Sequence, residues 1–142
     1  MISENTIVFG KPRFSKKEIN SVIKTLKTGW VGTGKKTLEF EKKFLENKKK
    51  KYGVALNSCT SAIHLSLILS RIKKGDEVIV TPWTMVATAT AILHWNGIPV
   101  FADIDPFTFN LDPARVEAAI GPRTRAILCA DIFGQSADIP AL

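Results

Sequence analysis

The sequence predicts an α/β protein with a mostly parallel sheet that has helices on both faces. From Tyr52 onward, short apolar runs alternate with helical patterns over short connections, and such alternation requires right-handed crossovers between parallel strands. The predicted helices are apolar nearly all round, as helices covering a buried parallel sheet are. The 142 residues are 45% hydrophobic and 23% charged, which is ordinary globular composition and excludes a disordered or collagen-like chain.

Residues 1–51 are predicted to form a helical arm. Ser15 and Glu18 have the spacing of a capping box, in which each side chain bonds the other residue's backbone amide. Apolar residues then recur at helical spacing until Gly29, which favours a helix end. After a turn-rich stretch, a second amphipathic helix with a lysine-rich outer face is expected from the positions of Leu38, Phe40, Phe44 and Leu45.

Residues 52–142 are predicted to form an incomplete α/β domain. Periodicity together with the Gly, Pro and Asp residues that bound each run gives the elements. In chain order they are a strand at 52–56, a helix at 60–71, a strand at 77–81, a helix at 86–95, a strand at 99–102, a helix at 113–120 and a strand at 124–130. Asp112 and Pro113 supply an N-cap followed by proline at the first helical position.

The last residues have the pattern of another helix start. Asp138 and Pro140 form an N-cap with proline just inside, but only Ala141 and Leu142 follow. A stable helix needs more turns than this, and the strand at 124–130 would lack its covering helix. We therefore expect the chain to be the N-terminal piece of a longer protein.

Charge and cysteine content exclude several classes of protein. The net charge is +7, with +12 on residues 1–74 and −5 on residues 75–142. The basic run at 48–51 has no interleaved aromatics and ends a helix, where it complements the helix dipole; no nucleic-acid partner is expected. Cys59 and Cys129 alone support neither a disulfide scaffold nor a metal site. No targeting segment or long apolar run is present, so we expect no membrane association and a cytoplasmic location.

Two segments could bind phosphate. Residues 29–36 have the GxxxxGK spacing of a phosphate loop, but Lys36 replaces the magnesium-binding hydroxyl and a surface helix precedes the loop, so a P-loop NTPase is a distant alternative. Residues 57–62 leave a predicted buried strand and open a helix, so the amides and hydroxyls of Thr60 and Ser61 could hold an anion. Helix capping alone explains the same residues equally well.

Six motifs in order resemble the DegT/DnrJ/EryC1/StrS family, and the resemblance covers the chain from about Phe9. Members of this family are sugar aminotransferases that depend on pyridoxal phosphate and have the aspartate aminotransferase fold (fold type I). The chain would then be part of the large domain of that fold. The six motifs are at residues 28–34, 57–65, 75–79, 86–92, 99–105 and 133–138.

The resemblance assigns roles to two cofactor-binding groups. Thr60 and Ser61 match the positions that hold the cofactor phosphate. Met85 matches the position that stacks on the pyridine ring, which is usually aromatic in the family; a methionine sulfur contacts a ring more weakly, and Trp83 is a possible substitute. Asp131 stands where many members have histidine, and it is given no role.

The resemblance also implies a substrate and a reaction. Gly29, Trp30 and Val31 match the loop that lines the nucleotide-sugar side of the site. The parent reaction would transfer an amino group, with glutamate as the expected donor, to a keto-sugar nucleotide, in a homodimer. The Schiff-base lysine and the acid on the pyridine nitrogen lie beyond Leu142 in the family, so no catalytic residue is expected here. The fragment should be inactive and should bind pyridoxal phosphate weakly or not at all. The alternative is a non-catalytic remnant or a binding module with a basic N-terminal face.

Overall fold

The structure, a computed structural model, describes residues 10–142. These residues form two compact units, and the division along the chain falls between Ala55 and Leu56. The beginning of the predicted helical arm, residues 1–9, lies outside the described residues.

The first unit contains two helices. The helix α1 (Lys16–Lys27) begins with the predicted capping box, in which the Ser15 hydroxyl accepts from the Glu18 amide and the Glu18 carboxylate accepts from the Ser15 amide. It ends at Thr28, and Gly29 follows with a φ of +73°, the left-handed conformation that glycine adopts without strain. The helix α2 (Lys35–Lys48) follows the turn-rich stretch.

The second unit is a three-stranded sheet with helices. Its elements are α3 (Cys59–Leu69), β1 (Glu77–Val80), α4 (Val86–His94), β2 (Ile98–Phe101), α5 (Pro113–Ala119) and β3 (Thr124–Leu128), followed by a short 3₁₀ turn at Ile132–Gly134. The strand order is β2-β1-β3, and β1 pairs in parallel with both neighbours. Glu77 lies opposite Ile98 and Thr124.

The two faces of the sheet are covered by different helices. Val78 and Val80 pack with Leu67 of α3 and Ile92 of α4. Ile79, whose side chain points to the opposite face, packs with residues that include Leu111 and Val116 of the α5 region. The α/β class, the parallel sheet and the helices on both faces are therefore confirmed.

One of the expected elements is wrong. Residues 52–56 form no strand, and Tyr52 and Val54 are exposed. A strand exists only through pairing, and within residues 10–142 no segment pairs with this one. The helix-start pattern at Asp138, which was expected to be too short for a helix, forms a turn in which the backbone amides of Ala141 and Leu142 bond the Asp138 carbonyl.

The helix α3 is also more exposed than its composition suggests. We expected a helix that is apolar nearly all round to be buried nearly all round, but Leu67 is its one buried residue, and Leu69 is largely exposed. No helix in the described part of the chain combines the length and apolar content of a membrane span.

Candidate functional site

The ends of several elements meet at one edge of the sheet, which we call the carboxyl edge. Because α3 leads into β1 through a short turn and packs on the sheet, it runs antiparallel to β1, and its N-terminus lies where β1 ends. The N-terminus of α4 lies at the same edge, since α4 directly follows β1. The chain moves from β1 to β2 on one side and returns to β3 on the other. Open α/β sheets bind ligands at such a reversal.

The N-terminus of α3 presents unused hydrogen-bond donors. Ser58 is the N-cap, and its hydroxyl accepts from the Ser61 amide at 3.1 Å. The Ser61 hydroxyl donates to Asn57 Oδ1 at 2.8 Å. By contrast, the amides of Cys59 and Thr60 and the hydroxyl of Thr60 bond no acceptor among residues 10–142. Helix capping therefore uses the amide and hydroxyl of Ser61, whereas the amide and hydroxyl of Thr60 have no acceptor among residues 10–142.

The segment that leaves β1 carries the predicted ring-binding residues. Trp83 is held by a bond from its amide to the hydroxyl of buried Thr81 at 3.0 Å. Met85 is the N-cap residue of α4 and is 74% exposed. Both side chains thus lie at the carboxyl edge, on the connection between β1 and α4.

Three aromatic rings form a row at this edge, which we call the aromatic row: Trp83, Phe109 and Phe133. The Phe109 ring lies 6.4 Å from the Trp83 ring and 6.2 Å from the Phe133 ring, the latter in an edge-on arrangement. Both distances lie in the range at which aromatic rings attract each other, and an edge-on arrangement is one of the preferred geometries. The row joins the segment after β1 to the segment after β3.

Residues 131–136, which we call the β3-exit loop, are fixed by polar contacts. Asp131 Oδ1 accepts from the Ala137 amide at 3.0 Å, so Asp131, to which the family resemblance assigned no role, closes the loop. The buried side chain of Asn110 bonds three further backbone groups of the loop. Sequence reasoning missed Asn110, Phe109 and Phe133, because their partners are distant along the chain and no local pattern marks them.

The second unit has two lysines, Lys73 and Lys74, and neither is at the carboxyl edge. Both lie in the turn before β1, at the opposite end of the sheet. The Lys73 amide donates to Asp76 Oδ2 at 2.9 Å. Within this unit, therefore, no amine is placed to attack a ligand bound at the carboxyl edge.

The predicted substrate loop belongs to the first unit. The indole of Trp30 donates to the Thr33 carbonyl at 2.9 Å and lies over Gly34, where a Cβ would come within 2.6 Å of the ring nitrogen. Val31 is exposed. A cavity of about 530 Å³ opens beside the indole, lined partly by Lys24, Lys35 and Lys36.

The phosphate-loop alternative for residues 29–36 is not supported by this unit. The loop does open a helix, α2, but the element before it is helix α1. A phosphate loop follows a buried strand, and every strand of the described chain lies in the second unit.

Comparison with known proteins gives the family. The model of the DegT/DnrJ/EryC1/StrS aminotransferase family matches residues 12–142. The chain is 45% identical over 134 residues to the spore coat polysaccharide biosynthesis protein SpsC of Bacillus subtilis, covering 94% of this chain and 34% of that protein. It is 40% identical over 129 residues to GDP-perosamine synthase of Caulobacter vibrioides, covering 90% and 35%.

Solved structures of similar fold also indicate a sugar aminotransferase. The putative sugar aminotransferase Spr1654 from Streptococcus pneumoniae, known in forms with pyridoxal phosphate and pyridoxamine phosphate, aligns with a TM-score of 0.85 at 36% identity, covering 95% of this chain and 34% of that chain. The chain thus spans about a third of the length of these relatives. Because the family model matches almost all of it, this chain belongs to the DegT/DnrJ/EryC1/StrS aminotransferase family, whose cofactor is pyridoxal phosphate.

Proposed function

We propose that this chain is the N-terminal part of an aminotransferase that transfers an amino group from glutamate to a keto-sugar nucleotide, using pyridoxal phosphate. The family membership supports an aminotransferase. The carboxyl edge supports a cofactor site in the chain itself, because helix N-termini, free donors and aromatic rings occur there together. The whole protein would act as a cytoplasmic homodimer.

The free donors of α3 are the observation that carries this proposal. The cofactor phosphate is a dianion, and it suits a helix N-terminus where backbone amides point outward at the positive end of the dipole. The Thr60 amide and hydroxyl would donate to it. Ser61 would shape the site, because its contacts with Ser58 and Asn57 hold the first turn in place.

The segment after β1 would face the pyridine ring. When bound, the cofactor supplies an electron sink for the carbon that exchanges the amino group. Met85 can contact the ring face through sulfur, and Trp83 offers an aromatic surface two residues earlier, with its indole already packed on Phe109. The residues present therefore fit the cofactor as a phosphate site with a ring-facing side.

Residues of the first unit would contribute to substrate binding. Gly29, Trp30 and Val31 are proposed to line the nucleotide-sugar side. No residue of this chain is proposed as catalytic, because neither lysine of the second unit lies at the carboxyl edge. The 142-residue chain by itself should therefore not catalyse transamination.

Pyridoxine 5′-phosphate tests the phosphate site, because it has the ring and phosphate of the cofactor but no aldehyde to react with lysines. We expect it to shift the backbone amide resonances of Cys59 and Thr60, and pyridoxine without the phosphate to do so much less. Thr60→Val keeps the side-chain shape but removes the hydroxyl donor, and should weaken binding about tenfold, as loss of one bond to a charged group does.

Ser70→Ala is the matched control, because Ser70 is the C-cap at the other end of the same helix. It should leave the affinity unchanged. Equal affinity of the Thr60→Val and native chains would contradict the assignment of Thr60, and shifts confined to lysine-rich residues of the first unit would contradict a phosphate site at α3.

A further inference from the structure

The buried side chain of Asn110 connects two segments that border the carboxyl edge. Asn110 is 3% exposed and lies in the connection between β2 and α5. Its Nδ2 donates to the carbonyl oxygens of Gln135 and Ser136, each at 3.1 Å, and its Oδ1 accepts from the Ile132 amide at 3.0 Å. One side chain thus satisfies three backbone groups of the β3-exit loop.

The residues next to these contacts are held in a conformation that bulky side chains rarely adopt. Phe109, directly before Asn110, has a φ of +60°, and Phe133, directly after Ile132, has a φ of +55°. Left-handed backbone at a bulky residue persists where the surrounding structure holds it, and it is concentrated at functional sites. The hydrogen bonds of Asn110 lie immediately beside both strained positions.

The consequence of this backbone arrangement is the aromatic row. The Phe109 and Phe133 rings meet edge-on, and the Phe109 ring also lies 6.4 Å from the Trp83 ring. Trp83 is about half exposed and Phe133 more so. The row therefore keeps free ring surface at the carboxyl edge, although its members come from three separate connections.

We propose that Asn110 is a positioning residue for the ring-facing side of the carboxyl-edge site. By fixing the β3-exit loop it places Phe133 and, through Phe109, the indole of Trp83, so that the row offers a preformed surface to a planar conjugated ring. A preformed surface loses less conformational entropy on binding. The inference rests on the proposed function, which supplies such a ring in the cofactor.

Asn110→Asp tests the positioning directly. The aspartate keeps the shape and the acceptor for the Ile132 amide, but it turns a carboxylate oxygen toward the carbonyls of Gln135 and Ser136. We expect the nuclear Overhauser contacts between the Phe109 and Phe133 rings to disappear. Asn110→Ser, which removes the amide without burying a charge, should have the same effect, and either variant that folds decides the question.

Val116→Ala is the control for general destabilisation, because Val116 is buried in α5 and packs in the core with Ile79. It should lower the melting temperature and leave the ring contacts intact. The inference is overturned if the Asn110 variants keep the Phe109–Phe133 contacts, or if Val116→Ala loses them to the same extent.

Pyridoxine 5′-phosphate separates this inference from the proposed function. In the native chain it should shift both the Thr60 amide and the Trp83 indole resonance. In the Asn110 variants the Thr60 shift should remain and the Trp83 shift should be lost. The affinity of these variants should fall roughly two- to tenfold, which corresponds to the loss of one aromatic contact. A native chain without the Thr60 shift contradicts the proposed function, while the ring contacts still decide the role of Asn110. Variants that keep both shifts contradict the inference alone.

Discussion

Thr60 and Ser61 are neighbours of similar chemistry, yet the structure gives them different tasks. The Ser61 amide and hydroxyl are both used within the first turn of α3, whereas Thr60 donates to nothing in residues 10–142. The contacts of Ser61 are therefore those of capping, whereas the unused donors of Thr60 support the anion binding proposed for that residue. Only the positions of Ser58 and Asn57 relative to the helix could distinguish the two residues.

Asn110 could not have been found from the sequence for a related reason. Its partners are the backbone groups of Ile132, Gln135 and Ser136, and backbone groups leave no trace in residue type. The strained φ angles of Phe109 and Phe133 are equally invisible. Local patterns predict what neighbouring residues decide, and this part of the site depends on contacts more than twenty positions apart.

The positions of the lysines lead to a prediction about the cofactor. Lys73 and Lys74 lie at the sheet end opposite the carboxyl edge, so pyridoxal phosphate bound at α3 has no lysine of the second unit within reach. Borohydride reduction of the mixture should therefore give only sparse, scattered adducts over the many lysines, and no absorption band of a specific complex should form. Peptide mapping by mass spectrometry would measure this, and a stoichiometric adduct on one lysine would disprove it.

At the scale of elements, caps and turns made the sequence predictions accurate. The helices α1, α4 and α5 and all three strands lie within about two residues of their predicted bounds. For α1 and α5 the reason is a capping box and an Asp-Pro pair, each of which acts within one turn. The predicted strand at 52–56 failed because pairing requires a partner strand, and alternation along one segment cannot show whether that partner exists. The exposure of α3 was missed for a similar reason, because the apolar composition of a helix cannot show whether other surfaces are present to cover it.

Helix α2 gives a prediction of pH dependence. Glu39 accepts from Lys43 at 2.9 Å and from Lys36 at 3.0 Å, and these bonds lower the pKa of Glu39 from 4.5 to about 2. A carboxylate with a depressed pKa stabilises the folded state above its unfolded pKa, and this contribution is lost as pH falls through the folded value. The contribution of Glu39 should therefore be complete above about pH 4.5 and disappear toward pH 2.

The measurement compares Glu39→Gln with the native chain by circular dichroism at pH 6 and at pH 2. Because the pair is exposed, the effect at pH 6 should be small, with the variant less helical, and most of the difference should be lost at pH 2. Glu46→Gln on the same helix, whose carboxylate is 4.0 Å from Lys42, is the matched control. A native and a Glu39→Gln chain with identical helicity at both pH values would contradict the prediction.

At the scale of the whole molecule, much apolar surface is exposed. Ile19, Val22, Ile23 and Leu26 form the apolar side of α1, and each is roughly half exposed. Exposed apolar patches of this kind are covered in stable proteins by another surface. The described chain therefore has two well-packed core clusters in one unit and an uncovered helix face in the other.

This exposure predicts how the 142-residue chain should behave in solution. We expect it to self-associate or to unfold with low cooperativity, and Val22→Lys together with Leu26→Lys should reduce the association by adding charge to the apolar side. Sedimentation velocity and thermal unfolding measure the two properties. A native chain that is a monodisperse monomer with a sharp two-state transition would refute this expectation.

The strand order has a consequence for how the sheet assembles. Among residues 10–142, β1 is the first strand in chain order and also the central one, so it serves as the template on which both neighbours must form. Glu77 pairs with Ile98 across 21 positions and with Thr124 across 47, and closing the longer loop costs roughly 0.7 kcal/mol more entropy. During synthesis β2 also leaves the ribosome before β3. The sheet should therefore form from its central strand outward, with the β1–β2 pairing first. In a pulsed hydrogen exchange experiment, the amides that bond between β1 and β2 should become protected before those that bond between β1 and β3.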